Sequence, residues 1–207
     1  RLNFRDHGNS HHLNEGLFHS ALIDEVFHAV RFVSSLSDGG PCFIVGFSLG
    51  GNFGLRIALR HTAMPVPNLT RVFAVSPVLN PHRATLAIDN GFSLYRRYFV
   101  KKWKNSLRKK QALFPSRYHF GDVLRFRSCM EITDAVIPRY SPFRNHQEYF
   151  KTYTLSGDIF DDLTVPVHVI ASADDPIIPV DDFHTLRGNR HFMLSLQRHG
   201  GHCGFLD

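Results

Sequence analysis

An α/β fold, with a mostly parallel sheet covered by helices on both faces and a helical insertion in the middle, is what the sequence predicts. Three observations predict it. Short apolar runs recur at Cys42-Phe43-Ile44-Val45, Val72-Phe73-Ala74-Val75 and Val165 to Ala171, each bounded by turn residues, as buried strands are. A helical segment, Asn52 to Ala63, lies between the first two runs and stops before Pro65, so the rhythm is strand, helix, strand. After Ser76-Pro77 that rhythm lapses for roughly eighty residues, far more than a plain crossover needs.

The elements follow in order. Arg1 falls within what reads as a strand, and Asn14 to Leu36 reads as an amphipathic helix, with Phe18, Leu22, Val26, Ala29, Val30 and Val33 at helical spacing. The insertion carries a second helix in which Tyr95, Phe99, Trp103 and Leu107 fall four apart on one face. That stripe is expected to pack, and the surrounding cations to be solvated. His191 to Leu196 reads as the last strand. The expected division is a sheet core over 1–80, a helical cap over 81–160, and the rest of the core over 161–207.

The chain has 207 residues, a formal net charge of +6 and ordinary apolar and charged fractions, which suits one globular catalytic domain. The charge is uneven: from Arg96 to Arg117 the chain carries Arg97, Lys101, Lys102, Lys104, Arg108, Lys109 and Lys110 with no carboxylate. Contact with an anionic membrane surface is one reading of that stretch. A nucleic-acid partner is not expected, because the charge is confined to one helix and no nucleic-acid motif accompanies it. Cys42, Cys129 and Cys203 are odd in number and widely spaced, which argues against a disulfide framework and for a reducing compartment, with cytoplasm the expectation. No window is apolar for long enough to span a bilayer.

Chemistry enters at Gly46-Phe47-Ser48-Leu49-Gly50, followed by Gly51. The pattern G-x-S-x-G sits between a buried strand and a helix, where a nucleophile elbow requires it. A sharp reversal there forces Ser48 into strained backbone angles and leaves little room two residues to either side. It also sets the Ser48 hydroxyl at the positive end of a helix and aims the Leu49 N–H at a developing oxyanion.

A serine hydroxyl needs a base, and the base needs a carboxylate to orient it. In chain order the acid follows a later strand and the histidine follows the last one. Asp174 and Asp175 both stand after the third run, while His199 and His202 both stand in the glycine-rich stretch near the end. His202, wrapped in glycines, is the favoured base. Asp174 is the alternative acid, with capping of the loop as its other role.

Two other patterns carry less. His7, His11 and His12 lack a Cys or carboxylate at metal-ligand spacing, so no metal and no cofactor are expected. His19 and Asp24 match an H-x-x-x-x-D spacing, but five residues along a helix turn the two side chains apart. Cys203 is expected to serve packing.

Taken together, Asn3-Phe4-Arg5, the elbow with its trailing Gly51-Asn52, Ser76-Pro77, Asp174-Asp175-Pro176 and Gly200-Gly201-His202 resemble the YheT-like branch of the α/β-hydrolases. That group includes mammalian α/β-hydrolase-domain lipases and yeast ethanol acyltransferases. The resemblance singles out Asp175, four residues before Pro179 as in the family's D-x-x-x-P loop. It implies a serine hydrolase cleaving short carboxylic esters, acylglycerols or phospholipid-like substrates. Transfer of the acyl group to an alcohol, and a non-catalytic binding module on the same fold, are the alternatives. The cap would then offer an apolar acyl pocket. Two departures stand out: Asp6 occupies a position where a small residue is expected, and the upstream strands, the His-Gly oxyanion loop and the C-terminal helix of the family are not seen in this chain.

Overall fold

A computed structural model describes residues 1–205. The chain forms two compact units. One combines Leu22–Ala87 with the residues from Tyr153 onward, and the other combines Arg1–Ala21 with Ile88–Thr152.

The first unit is the α/β-hydrolase fold expected from the sequence. Four parallel strands, β1 (Cys42–Phe47), β2 (Leu69–Val75), β3 (Val167–Ser172) and β4 (Phe192–Gln197), lie side by side in sequence order. They are flanked by helices α1 (Ile23–Ser35) and α2 (Leu49–Ala63), and β2 is followed by α3 (Pro81–Asn90). Val72, Ala74, Val167, Val169 and Ala171 are buried in the sheet, and Phe53, Leu55, Ile57 and Ala58 on α2 cover it. Continuous apolar runs such as these suit strands that are covered on both faces.

Two expectations need correction here. The amphipathic helix begins at Ile23 rather than Asn14, and it buries Val26 and Phe27 but leaves Val33 57 % exposed. Strand β1 is not buried throughout: among the described residues it pairs with β2 alone, and Phe43, Val45 and Phe47 are more than half exposed. Periodicity cannot distinguish an edge strand from a central one, because neighbours are a property of the whole sheet.

The second unit is helical, built from α4 (Ser93–Leu113), α5 (Cys129–Tyr140) and α6 (His146–Lys151). Val100 and Leu107 of α4 are buried with Tyr118, Phe120, Val123 and Ile132, and Phe99 and Trp103 pack against that cluster. Phe99, Trp103 and Leu107 of the stripe are therefore consumed inside this unit, whereas Tyr95 stays 37 % exposed. Helix α5 is capped twice over: Ser128 and Glu131 form a reciprocal capping box, and the Asp89 carboxylate accepts from Cys129 N and Met130 N at 2.7 and 2.8 Å. A carboxylate there also meets the positive end of the helix.

Residues 1–21, expected with the sheet, cluster instead with this unit and form no regular strand. The cause is Lys110, which is expected from sequence to be solvated yet is wholly buried. Its Nζ donates to Asp6 Oδ1 at 2.8 Å and to the carbonyl oxygen of His11 at 3.3 Å, and also to that of Asn14. Asp6 Oδ2 accepts from Phe18 N at 2.8 Å. Asp6 itself has φ 58°, a left-handed conformation that favours small residues and that Asp tolerates better than most. The odd residue in the family pattern is thus the partner of a buried cation.

Candidate active site

Strand β1 ends at Phe47, α2 starts at Leu49, and Ser48 between them has φ 51° and ψ −117°. For a serine this conformation is strained by roughly 1–3 kcal/mol and persists only where its surroundings enforce it. Gly46 shows why: a Cβ there would lie 2.2 Å from Gly50 O. At Gly51 a Cβ would meet Pro77 Cβ at 3.0 Å. The expectation that Gly50 is equally constrained is corrected, since a Cβ at Gly50 would meet nothing within 4 Å. Its carbonyl, rather than its missing side chain, makes the close approach.

The segment after β2 holds this turn in place. Ser48 N donates to Val75 O at 2.9 Å, Val78 N donates to Ser48 O at 3.2 Å, and Asn52 Nδ2 donates to Val78 O at 2.7 Å. Ser76, between them, is fully buried with φ 42° and a hydroxyl that has no hydrogen-bond partner among the described residues. By helix geometry the N–H groups of the first turn of α2, that of Leu49 among them, have no acceptor within the helix. They make the neighbourhood of Ser48 hospitable to negative charge.

Beyond β3, Asp175 turns inward and its side chain is 0 % exposed. One carboxylate oxygen accepts from Ile177 N and Ile178 N at 2.8 and 3.0 Å; the other accepts from His202 Nδ1 at 2.9 Å. The acid is thus saturated, and the ring it holds presents Nε2 as the remaining nitrogen. Asp174 plays a different part, accepting from Gly201 N at 2.9 Å and facing the exposed His199 at 3.5 Å. The Gly201 N–H holds the Asp174 carboxyl below the usual carboxylate range, with Ser172 and His199 adding to the effect.

The histidine loop is clamped on both sides of one residue's backbone. Ser172 Oγ donates to Gly201 O at 2.6 Å while Asp174 takes the N–H. Gly201 (φ 52°) and Cys203 (φ 66°) both sit in the left-handed region, on either side of His202. Burial pushes the His202 imidazole towards its neutral form, but the Asp175 carboxylate and the adjoining Cys203 side chain together outweigh it and raise its pKa to about 9.

Val75 O joins the two halves of this arrangement, because it accepts from Ser48 N and also lies 3.9 Å from Cys203 Sγ. The serine turn and the histidine loop therefore converge on one carbonyl at the end of β2. No hydrogen bond joins Ser48 Oγ to His202 among the described residues, and in substrate-free sites such bonds are often long.

The other sequence candidates lie elsewhere. His11 bonds to Ser106 Oγ and His7 to Arg5 O, and no cluster of metal-ligating side chains exists among the described residues. Asp24 pairs with Arg60, while His19 lies edge-on to Phe143 and Tyr149. Sequence reasoning missed the role of Ser172 and noted Asn52 and Ser76-Pro77 only as part of the family resemblance, because their roles run through contacts between residues distant in the chain.

Comparison with known proteins agrees with this fold. A family model described as alpha/beta hydrolase family matches residues 1–207. Human Protein ABHD15 is 30 % identical over 86 % of this chain and 38 % of its own length. The putative esterase YheT of Escherichia coli is 23 % identical over 92 % of this chain and 56 % of its own. Human monoacylglycerol lipase ABHD2 is 26 % identical over 79 % of this chain and 42 % of its own. The chain thus spans about half the length, or less, of these curated relatives. Among solved structures, a serine hydrolase from Cycloclasticus zankles covers 95 % of this chain and 70 % of its own at a TM-score of 0.57 and 19 % identity, a likeness of fold.

Proposed function

The chain belongs to the alpha/beta hydrolase family, and on that footing we propose that it is a serine hydrolase of carboxylic esters, of the YheT-like branch. The observation that carries this reading is the part-buried Asp175–His202 hydrogen bond at 2.9 Å, on a loop whose Cys203 shares the Val75 carbonyl with the strained Ser48.

In the mechanism, Asp175 holds Nδ1–H of His202, so that Nε2 takes the proton from Ser48 Oγ as the oxygen attacks the ester carbonyl. The Leu49 N–H stabilises the tetrahedral oxyanion. His202 then returns the proton to the departing alcohol, leaving an acyl group on Ser48. Water, deprotonated in turn by His202, releases the acid and restores the serine. The names borne by YheT and ABHD2 support an ester or acylglycerol as substrate, and the positive stretch on α4 supports contact with anionic lipid.

A fluorophosphonate probe tests this directly, because it reacts with an activated serine hydroxyl and with little else. Covalent label on the peptide containing Ser48, abolished by His202→Gln, is expected. Folded protein that stays unlabelled at Ser48 would instead indicate a binding module.

A further inference from the structure

We propose that the outward face of α4 is a docking surface for bilayers containing anionic lipid. Its inner face is already spent on the core of its own unit, through Val100, Leu107, Phe99 and Trp103. The opposite side is neither polar throughout nor covered. Leu94, Tyr98, Lys102, Lys109 and Leu113 follow at intervals of four and seven residues, which brings them onto one stripe. Leu94, Tyr98 and Leu113 are 58, 57 and 47 % exposed, and Phe92, just before the helix, is 63 % exposed.

Charge makes this stripe specific. No carboxylate occurs between Asp89 and Asp122. Lys110 is neutralised internally by Asp6, whereas Arg97, Lys101, Lys102 and Lys109 are exposed and have no ion-pair partner among the described residues. Lys102 Nζ lies 5.4 Å from the Tyr98 ring centroid, so cation and aromatic meet on one face of the helix. The stripe ends beside a shallow hollow of ≈ 430 Å³ lined by His11, His12, Lys109 and Leu113.

Exposed Phe92 and Leu94 at one end and Leu113 at the other, with Tyr98 and a band of lysines lacking ion-pair partners between them, form the pattern of a helix lying in a bilayer interface: apolar groups enter the acyl boundary and cations meet anionic headgroups. A nucleic-acid backbone would use the cations but leave Phe92 and Leu94 without a role. The surface asks nothing of Ser48, so it stands whether or not the hydrolase reading does.

Vesicle flotation of the full chain carrying Ser48→Ala, which removes lipid turnover from the measurement, tests the surface. Vesicles of phosphatidylcholine alone are compared with vesicles that also contain phosphatidylserine. At low salt, binding to the anionic vesicles is expected to be about tenfold tighter or more, and to weaken as salt rises. Lys101→Glu with Lys102→Glu should lower it by about tenfold or more. Phe92→Ala with Leu94→Ala should remove the binding that survives high salt, with far-UV circular dichroism unchanged. Equal affinity for both vesicle types, no binding, or retention by every variant would overturn the proposal. So would release from vesicles by duplex DNA combined with indifference to the Phe92 and Leu94 changes.

Discussion

The sheet unit and the helical unit hold their key side chains by opposite means. In the first, backbone does the positioning: Ser48, Gly201 and Cys203 are locked in left-handed angles, and peptide groups of Ser48 and Gly201 bond to Val75, Asp174 and Ser172. In the second, a buried ion pair ties the segment of residues 1–21 to the last turn of a long helix, Asp6 to Lys110. The proposed chemistry, which needs fixed atoms, would thus rest on short, over-determined turns. The proposed docking surface, which needs only a supporting rod, would rest on side-chain packing.

The contrast predicts different failures. The largest is in rate: Ser48→Ala should lower ester turnover by a factor on the order of ten thousand, with thermal unfolding unchanged, because the hydroxyl is an actor and its backbone remains. Wild-type hydrolysis of a nitrophenyl ester by this variant would undo the contrast at its root.

In the helical unit the loss should be in stability instead. Lys110→Met leaves a buried carboxylate with no cation, at a cost of about 3–5 kcal/mol, while Asp6→Asn combined with Lys110→Met should recover most of it. Denaturant midpoints of the two variants measure the difference. A single variant as stable as the parent would mean that the pair does not hold that segment.

The pH dependence of rate and of stability should run in opposite directions. The proposed mechanism needs neutral His202, whose folded pKa is raised to about 9, so kcat/KM should climb between about pH 7 and about pH 9 by roughly fiftyfold. Stability should do the reverse. A histidine pKa raised on folding stabilises fully below the unfolded value near 6.5, and that contribution fades as pH rises through about 9. Cys203→Ser should move the rate profile to lower pH, because the thiol side chain helps raise the histidine. A rate plateau already reached at about pH 7 would contradict this account of the loop.

The smallest contrast is between neighbouring glycines. Gly46→Ala must displace the Gly50 carbonyl and should cost about 1–3 kcal/mol with loss of activity, whereas Gly50→Ala should be tolerated. Midpoints and ester rates for the pair show whether the turn is held by space or by some other constraint.

That the candidates Ser48, Asp174 or Asp175, and His202 stand just beyond strand ends was legible, because each is marked by local residues and a parallel sheet delivers strand ends to one edge. Gly46 was legible for the same reason, but Gly50 was not, since its space depends on what lies beyond the turn. The Ser172 and Asp174 clamps on Gly201 were invisible, because a hydrogen bond spanning nearly thirty residues leaves no periodic trace. The early helix was overextended because apolar spacing continued through residues that pack into a different unit.

Local sterics and periodicity were enough to specify the strand and helix rhythm, the sharp turn at Ser48 and the order of the polar groups that follow, and all of these could be read from the residues alone. Which aspartate faces which histidine, which lysine is buried, which strand leaves side chains exposed and which apolar helix face is left outside emerged only in the folded chain. Those outcomes depend on partners distant in the chain, and burial is a property of the assembled fold rather than of any segment within it.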